Sequence, residues 1–298
     1  MREDASNTKN KTLKRKLQRS KTKIKKLTEE NIALKEELQI LKEKITAMEM
    51  EYMKYMTGKK CSMSGSRYEK QVHEVAKNCL LNGQKFNTQD VNELGGSSNN
   101  NDIICLHGKN KIGIEIKKCK SPDWIQCSIK YNKKSGEWES SKNSKMPMKC
   151  RKTIEKYANE MNLFNGKNPP FMNKKITHEK WLSIKNKTNE WNDAYTPVPS
   201  SVIRKMYREK GCHYIQISNY GLYHLGTDIC KFRVPKLSVD SRMRVRIKVH
   251  HRRDKNGHCS LSVTAAFQPI DIKTLKKSKY SLDDIERLPD NLCYKVAS

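Results

Sequence analysis

"SSNNNDIICLHGKNKIGIEIKK", residues 97–118, sets an aspartate at the head of one apolar run and Glu-Ile-Lys inside the next. Both runs have the composition of buried β-strand, and Gly108, Lys109 and Asn110 between them are turn residues. The stretch therefore reads as a hairpin of two strands, Asp102 to His107 and Ile112 to Lys118. On the second strand Ile112, Ile114 and Ile116 fall on one face, and Gly113, Glu115 and Lys117 on the other. A charge in such a segment is costly unless it is paired, hydrogen-bonded or used to hold a metal. If Asp102 begins the antiparallel neighbour, its carboxylate converges on the same point as Glu115 and Lys117. Two carboxylates, a main-chain carbonyl and water make the oxygen-rich site that Mg²⁺ takes. A lysine beside them can hold the water or a phosphate. The bland alternative is an ordinary cross-strand ion pair on a surface hairpin.

The flanks extend the pattern. Residues 66–81 have helical periodicity, with Tyr68, Val72, Val75, Ala76, Cys79 and Leu80 on the buried side and Glu69 at its border. Glu69 is placed to complete a metal shell or to bind a second ion. Downstream, Ser121-Pro122-Asp123 has the form of a helix start, and the expected helix runs to about Tyr131 carrying Trp124, Gln126, Ile129 and Lys130.

Helical Glu69, then Asp102, then Glu115-x-Lys117, then an element bearing Gln126, resembles the PD-(D/E)XK superfamily of restriction-endonuclease-like nucleases. "GGSSNNND", residues 95–102, is similar to the Gly-rich approach to the metal aspartate in that superfamily. The resemblance covers residues 66–131 and departs from the pattern at Asn101, where proline is usual. It implies an α/β (α+β) fold, with a restriction-endonuclease-like mixed-sheet core and flanking helices. It also implies Mg²⁺-dependent phosphodiester hydrolysis, with Mn²⁺ as a substitute. Asp102 and Glu115 would be the metal ligands, with Glu69 a further one, and Lys117 would position the nucleophile. Gln126 carries over as an accessory catalytic residue.

The 298 residues hold 61 Lys+Arg against 32 Asp+Glu, a formal net charge of +29, and such a field attracts polyanions. DNA is the expected partner; no lipidation motif or strongly apolar amphipathic helix favours a membrane. The ten cysteines include no Cys-x-x-Cys pair, and neither a signal peptide nor an 18-residue apolar span is evident. An intracellular, soluble, reduced protein without structural zinc is the expectation.

Residues 13–55 repeat apolar positions every seven residues over about six heptads, the signature of a coiled coil. Leu17, Ile24, Asn31, Leu38, Ile45 and Tyr52 take the a positions, and Leu27, Leu34 and Leu41 the d positions. A single Asn at a favours a parallel homodimer. This divides the chain into a basic N-terminal coiled coil (1–57), a linker (58–65) and a nuclease domain (66–298). Within the last, helices are expected near 147–164, 178–187 and 200–210, then β-structure in "HYIQIS", "GLYHL", "KFRV", "RMRVRIKVH" and "SLSVTAAF". Residues 200–298 are the expected DNA-recognition part, since Arg242, Arg244, Arg246 and Lys248 alternate along one strand, with Arg252 and Arg253 beyond it. A competing function is a non-enzymatic, zipper-type or structural DNA-binding protein, supported by the basic run "NTKNKTLKRKLQRSKTKIKK", residues 7–26. Divalent-metal-dependent cleavage separates the two.

Overall fold

The hairpin that the sequence announces forms one edge of a four-stranded sheet. A computed structural model describes residues 2–86, 101–121, 123–169, 172, 174–250 and 257–295, with side chains from residue 17 onward except at 51 and 54–62. Helix α1 spans Arg2–Lys77, followed by β1 (Cys79–Leu81), β2 (Gln84–Lys85), β3 (Ile103–His107) and β4 (Asn110–Lys117). Next come β5 (Ile125–Asn132), β6 (Glu137–Ser140), α2 (Met148–Glu160), β7 (Ile176–Thr177) and α3 (His178–Lys187). The remainder is β8 (Ala194–Val198), α4 (Ser200–Glu209), β9 (Cys212–Ile217), β10 (Gly221–His224), β11 (Ser241–His250), β12 (His258–Pro269) and β13 (Leu292–Tyr294). The fold is α+β, and its contacts divide it into units 1–60 and 61–298.

The four-stranded sheet has the order β10-β9-β4-β3. β3 and β4 are antiparallel with Ile103 opposite Ile114, whereas β4 and β9 run parallel. Both faces of β4 are covered. Ile112, Ile114 and Ile116 join a core with Tyr68, Val72 and Ala76 of α1 and with Tyr214. On the other face Glu115 and Lys117 stand beside Ile215 and Ile217, which belong to a second core with Tyr207 and Met206 of α4. β9, between β4 and β10, has five of its six residues buried.

The second sheet has the order β6-β5-β12-β11-β8, with β7 joined to β12. Its inward residues Ile125, Cys127, Ile129, Met243, Val245, Val263 and Phe267 pack against the helical layer. Its outward face carries mostly polar residues, among them Gln126, Ser128, Lys130, Arg242, Arg244, Arg246 and Thr264.

Four expectations are corrected here. The segment from Ser121 to Tyr131 is not a helix: Ile125–Asn132 form β5, paired with β12 and β6. Ile125, Cys127 and Ile129 are buried while Gln126, Ser128 and Lys130 are exposed, so period-two burial between two partner strands overrides the helix-start signal. The helix expected over 66–81 ends at Lys77, because Cys79 and Leu81 pair with β13 and β2 instead. "KFRV" is not a strand; Lys231 and Arg233 have φ of 54° and 59°, and Asp228 accepts from the backbone N–H groups of Phe232 and Arg233. Residues 58–65, expected as a linker, are helical and part of α1. A lone glycine costs a helix only about 1 kcal/mol, so Gly58 need not end one. The helices α3 and α4 and the strands β9 to β12 lie where the periodicity places them.

Candidate active site

Asp102 precedes β3 directly, and Glu115 and Lys117 lie two residues apart on β4, so the hairpin register brings the three together. Lys117 Nζ is 2.6 Å from Glu115 Oε1 and 4.0 Å from Asp102 Oδ2. Asp102 is held by the backbone: the Ile116 N–H donates to its Oδ2 at 2.7 Å. Glu115 is almost wholly buried, its side chain only 3% exposed.

A fourth charged group completes the arrangement. Lys210, the residue that ends α4, puts Nζ 3.0 Å from Glu115 Oε2 and 5.4 Å from the centre of the Tyr207 ring. Gly211 then turns the chain with φ of 87° and leads it into β9 beside β4. Cys212 Sγ lies 3.5 Å from Glu115 Oε2 and donates to Asn101 Oδ1. The close meeting of β4 with this turn requires Gly113. A Cβ there would come within 2.3 Å of the Gly211 carbonyl oxygen and 2.4 Å of Asn101 Oδ1. Asn101 thus packs as a spacer between the two strands.

The electrostatics follow from burial. Desolvation pushes the Asp102 carboxyl up, the Glu115 charge adds to this, and Lys117 opposes it, leaving Asp102 at about 6. Burial also raises Glu115, but Lys117 and Lys210 outweigh it and hold that carboxyl below its ordinary value. Lys117 is held above its ordinary value: burial lowers it, while Glu115 and Asp102 raise it by more. Glu69, near the end of α1, is raised by burial and within electrostatic reach of Lys117 and Glu115. One carboxyl poised near neutrality thus stands beside one firmly ionised, around a common ammonium. Among the described residues, no group of three or more His, Cys, Asp or Glu side chains is arranged to hold a metal ion. A divalent ion at this point would take two carboxylates and fill its shell with main-chain oxygen and water, a donor set that suits Mg²⁺.

The structure does not bring Gln126 into this cluster. It sits on the outer face of β5, where it lines a cleft with Ser128, Lys248 and Thr264. Lys130 is exposed on the same face, opposite Glu139 of β6. Arg242, Arg244 and Arg246 do share one face of β11, but Arg244 and Arg246 are paired with carboxylates of the protein. Arg244 Nη2 contacts both oxygens of Asp123 at 3.1 and 2.9 Å, and Arg246 reaches the same carboxylate at 3.3 Å. Gln268 also donates to Asp123, and Arg242 stacks 4.2 Å over Tyr195. Lys248 is exposed. Arg252, Arg253 and the Gly-rich approach at 95–100 lie outside the described residues.

Lys210, Tyr207 and Cys212 escaped the sequence reading. A lysine before a glycine reads as an ordinary cation at a helix C-terminus. Only the parallel pairing of β4 with β9, whose strands lie a hundred residues apart, sets it against Glu115.

No protein-family model and no curated protein matches the sequence. Among solved structures, the chain is similar to HhaI endonuclease in complex with DNA, at 14% identity and a TM-score of 0.33. The match covers 70% of this chain and 89% of that one. The functional reading rests on the chain's own residues.

Proposed function

We propose that this chain is a divalent-metal-dependent DNA endonuclease that hydrolyses phosphodiester bonds at Asp102, Glu115 and Lys117. The observation that supports it is the meeting of two carboxylates and a lysine at one part-buried point on a strongly basic chain. Asp102 and Glu115 would hold Mg²⁺ or Mn²⁺, with Glu69 as a further carboxylate within electrostatic reach. The ion, when bound, neutralises charge on the scissile phosphate and acidifies a water. Lys117 donates hydrogen bonds to the attacking water or to a phosphate oxygen. Lys210 keeps Glu115 ionised and oriented. Water adds to phosphorus, one P–O bond to a sugar oxygen breaks, and the proton released by the water ends on the leaving oxygen or in solvent.

The chain acts as a homodimer in this reading. Leu27, Leu34 and Leu41, the d positions of the heptads, are 53%, 64% and 51% exposed on the single chain. A stripe of that kind is covered when two such helices pair, with Asn31 against Asn31. Two joined active sites can cut both strands of a duplex. Incubation of linear, circular and branched DNA with Mg²⁺, against an EDTA control, tests the assignment. Metal-dependent conversion of closed circles is expected; binding without any cleavage would instead leave a structural DNA-binding protein.

A further inference from the structure

The outer face of the second sheet carries a cleft of about 560 Å³ between the segment Ser141–Lys145 and the strands β5, β11 and β12. Its floor is rigid β-structure: Gln126 and Ser128 from β5, Thr264 and Ser262 from β12, and Lys248 from β11. Lys145 and Asn143 stand on its rim. Hydroxyls, amides and ammonium groups dominate the lining, and among the described residues no carboxylate lines it. A surface this polar, lacking acid and floored by paired strands, is suited to an extended phosphate-bearing ligand rather than to an apolar one.

We infer that this cleft seats a DNA strand, with Lys145 and Lys248 on successive phosphates and Gln126 and Asn143 making hydrogen bonds to sugars or base edges. The inference rests on the nuclease reading and deepens it by naming where substrate lies. Two observations favour DNA as the occupant. The chain carries a formal charge of +29, so a polyanion is the complementary partner. Arg244 and Arg246 on the same face are drawn into the Asp123 cluster, and Lys145 and Lys248 are exposed cations lining the cleft. Gln126, outside the carboxylate cluster, acquires a role in substrate binding.

The test is fluorescence anisotropy of the full chain with a labelled DNA duplex, in EDTA so that no cleavage intervenes, across a salt series. Lys145→Ala/Lys248→Ala should lower the slope of log K against log salt by nearly two and weaken binding roughly 60-fold at 0.1 M salt, since each phosphate contact contributes about 0.9. A control pair, Lys180→Ala/Lys187→Ala on α3, should leave both unchanged; Trp181 of that helix packs in the core beneath the sheet's other face. Circular dichroism and thermal unfolding confirm that both variants fold. Gln126→Ala should weaken binding without changing the slope. Wild-type slope and affinity in Lys145→Ala/Lys248→Ala would overturn the cleft assignment while leaving metal-dependent cleavage intact. Equal affinity for polyglutamate or heparin, equally reduced in the variant, would also overturn it, because the cleft would then be a general anion surface. Loss of cleavage in Asp102→Asn with binding retained separates this inference from the active-site reading.

Discussion

Lys210 Nζ lies 3.0 Å from Glu115 Oε2, while Lys117 Nζ lies 2.6 Å from Oε1, so each oxygen of one buried carboxylate has its own ammonium. Removing one partner of such a pair leaves buried charge uncompensated, whereas the pair as a whole need not stabilise much. Lys210→Met should therefore cost about 2 kcal/mol, the worth of a charged hydrogen bond. In a Glu115→Gln background the same change should cost markedly less. Urea unfolding of the two single variants and the double variant measures the coupling; strictly additive losses would show that the contact contributes nothing.

Asp102 gives a pH dependence whose sign is fixed. Its folded value of about 6 lies above the ordinary 3.8, chiefly through burial. The folded state then favours the protonated form. Its stabilising contribution is full below pH 3.8 and is lost as pH rises through about 6. In EDTA, Asp102→Asn should raise the melting temperature at pH 8, by an amount equivalent to on the order of 2 kcal/mol. That margin should close towards pH 4. A gain that persists unchanged at pH 4 would refute the link to this carboxyl.

Cleavage should depend on the same residues differently. Glu115→Gln or Asp102→Asn should lower Mg²⁺-dependent cleavage about a thousandfold, since several kcal/mol of charge stabilisation is removed. DNA binding in EDTA should persist or tighten, because a negative charge facing phosphate is gone. Lys117→Ala should slow cleavage with little change in the metal concentration that gives half-maximal rate. Plasmid relaxation under a metal titration reports all three.

Gly113 carries a steric prediction. Gly113→Ala must push apart Gly211 and Asn101, both within 2.4 Å of the new Cβ. Overpacking of this kind costs about 1–3 kcal/mol. Calorimetry should show the loss, and cleavage should fall with it, because the same strand carries Glu115.

For assembly, the heptad stripe predicts a dimer at micromolar concentration. Leu34→Glu/Leu41→Glu places like charges at two successive d positions and should leave a monomer by sedimentation equilibrium. An unaltered mass for the variant, or a monomeric wild type, would discard the coiled coil.

Much of the site was legible because it is local. Asp102, Glu115 and Lys117 fall within sixteen residues, and an antiparallel hairpin sets its register through a short turn and the alternation of Ile112, Ile114 and Ile116. The helices α3 and α4 and the strands β9 to β12 were visible for the same reason, each carrying its own periodicity and its own ends. The failures were non-local. Ser121-Pro122-Asp123 has the chemistry of a helix start, yet pairing with β12 more than 130 residues away makes the next residues a strand. That pairing gives Asp123 to the β11 arginines and turns Gln126 away from the carboxylates. Lys210 reaches Glu115 only because β9 joins β4 in parallel, and parallel strands demand a long connection that local pattern cannot specify. The sequence by itself determined which residues carry the charges and which hairpin presents two of them. Tertiary structure alone decided what surrounds those charges, because burial and electrostatic partnership depend on strands brought together from distant parts of the chain.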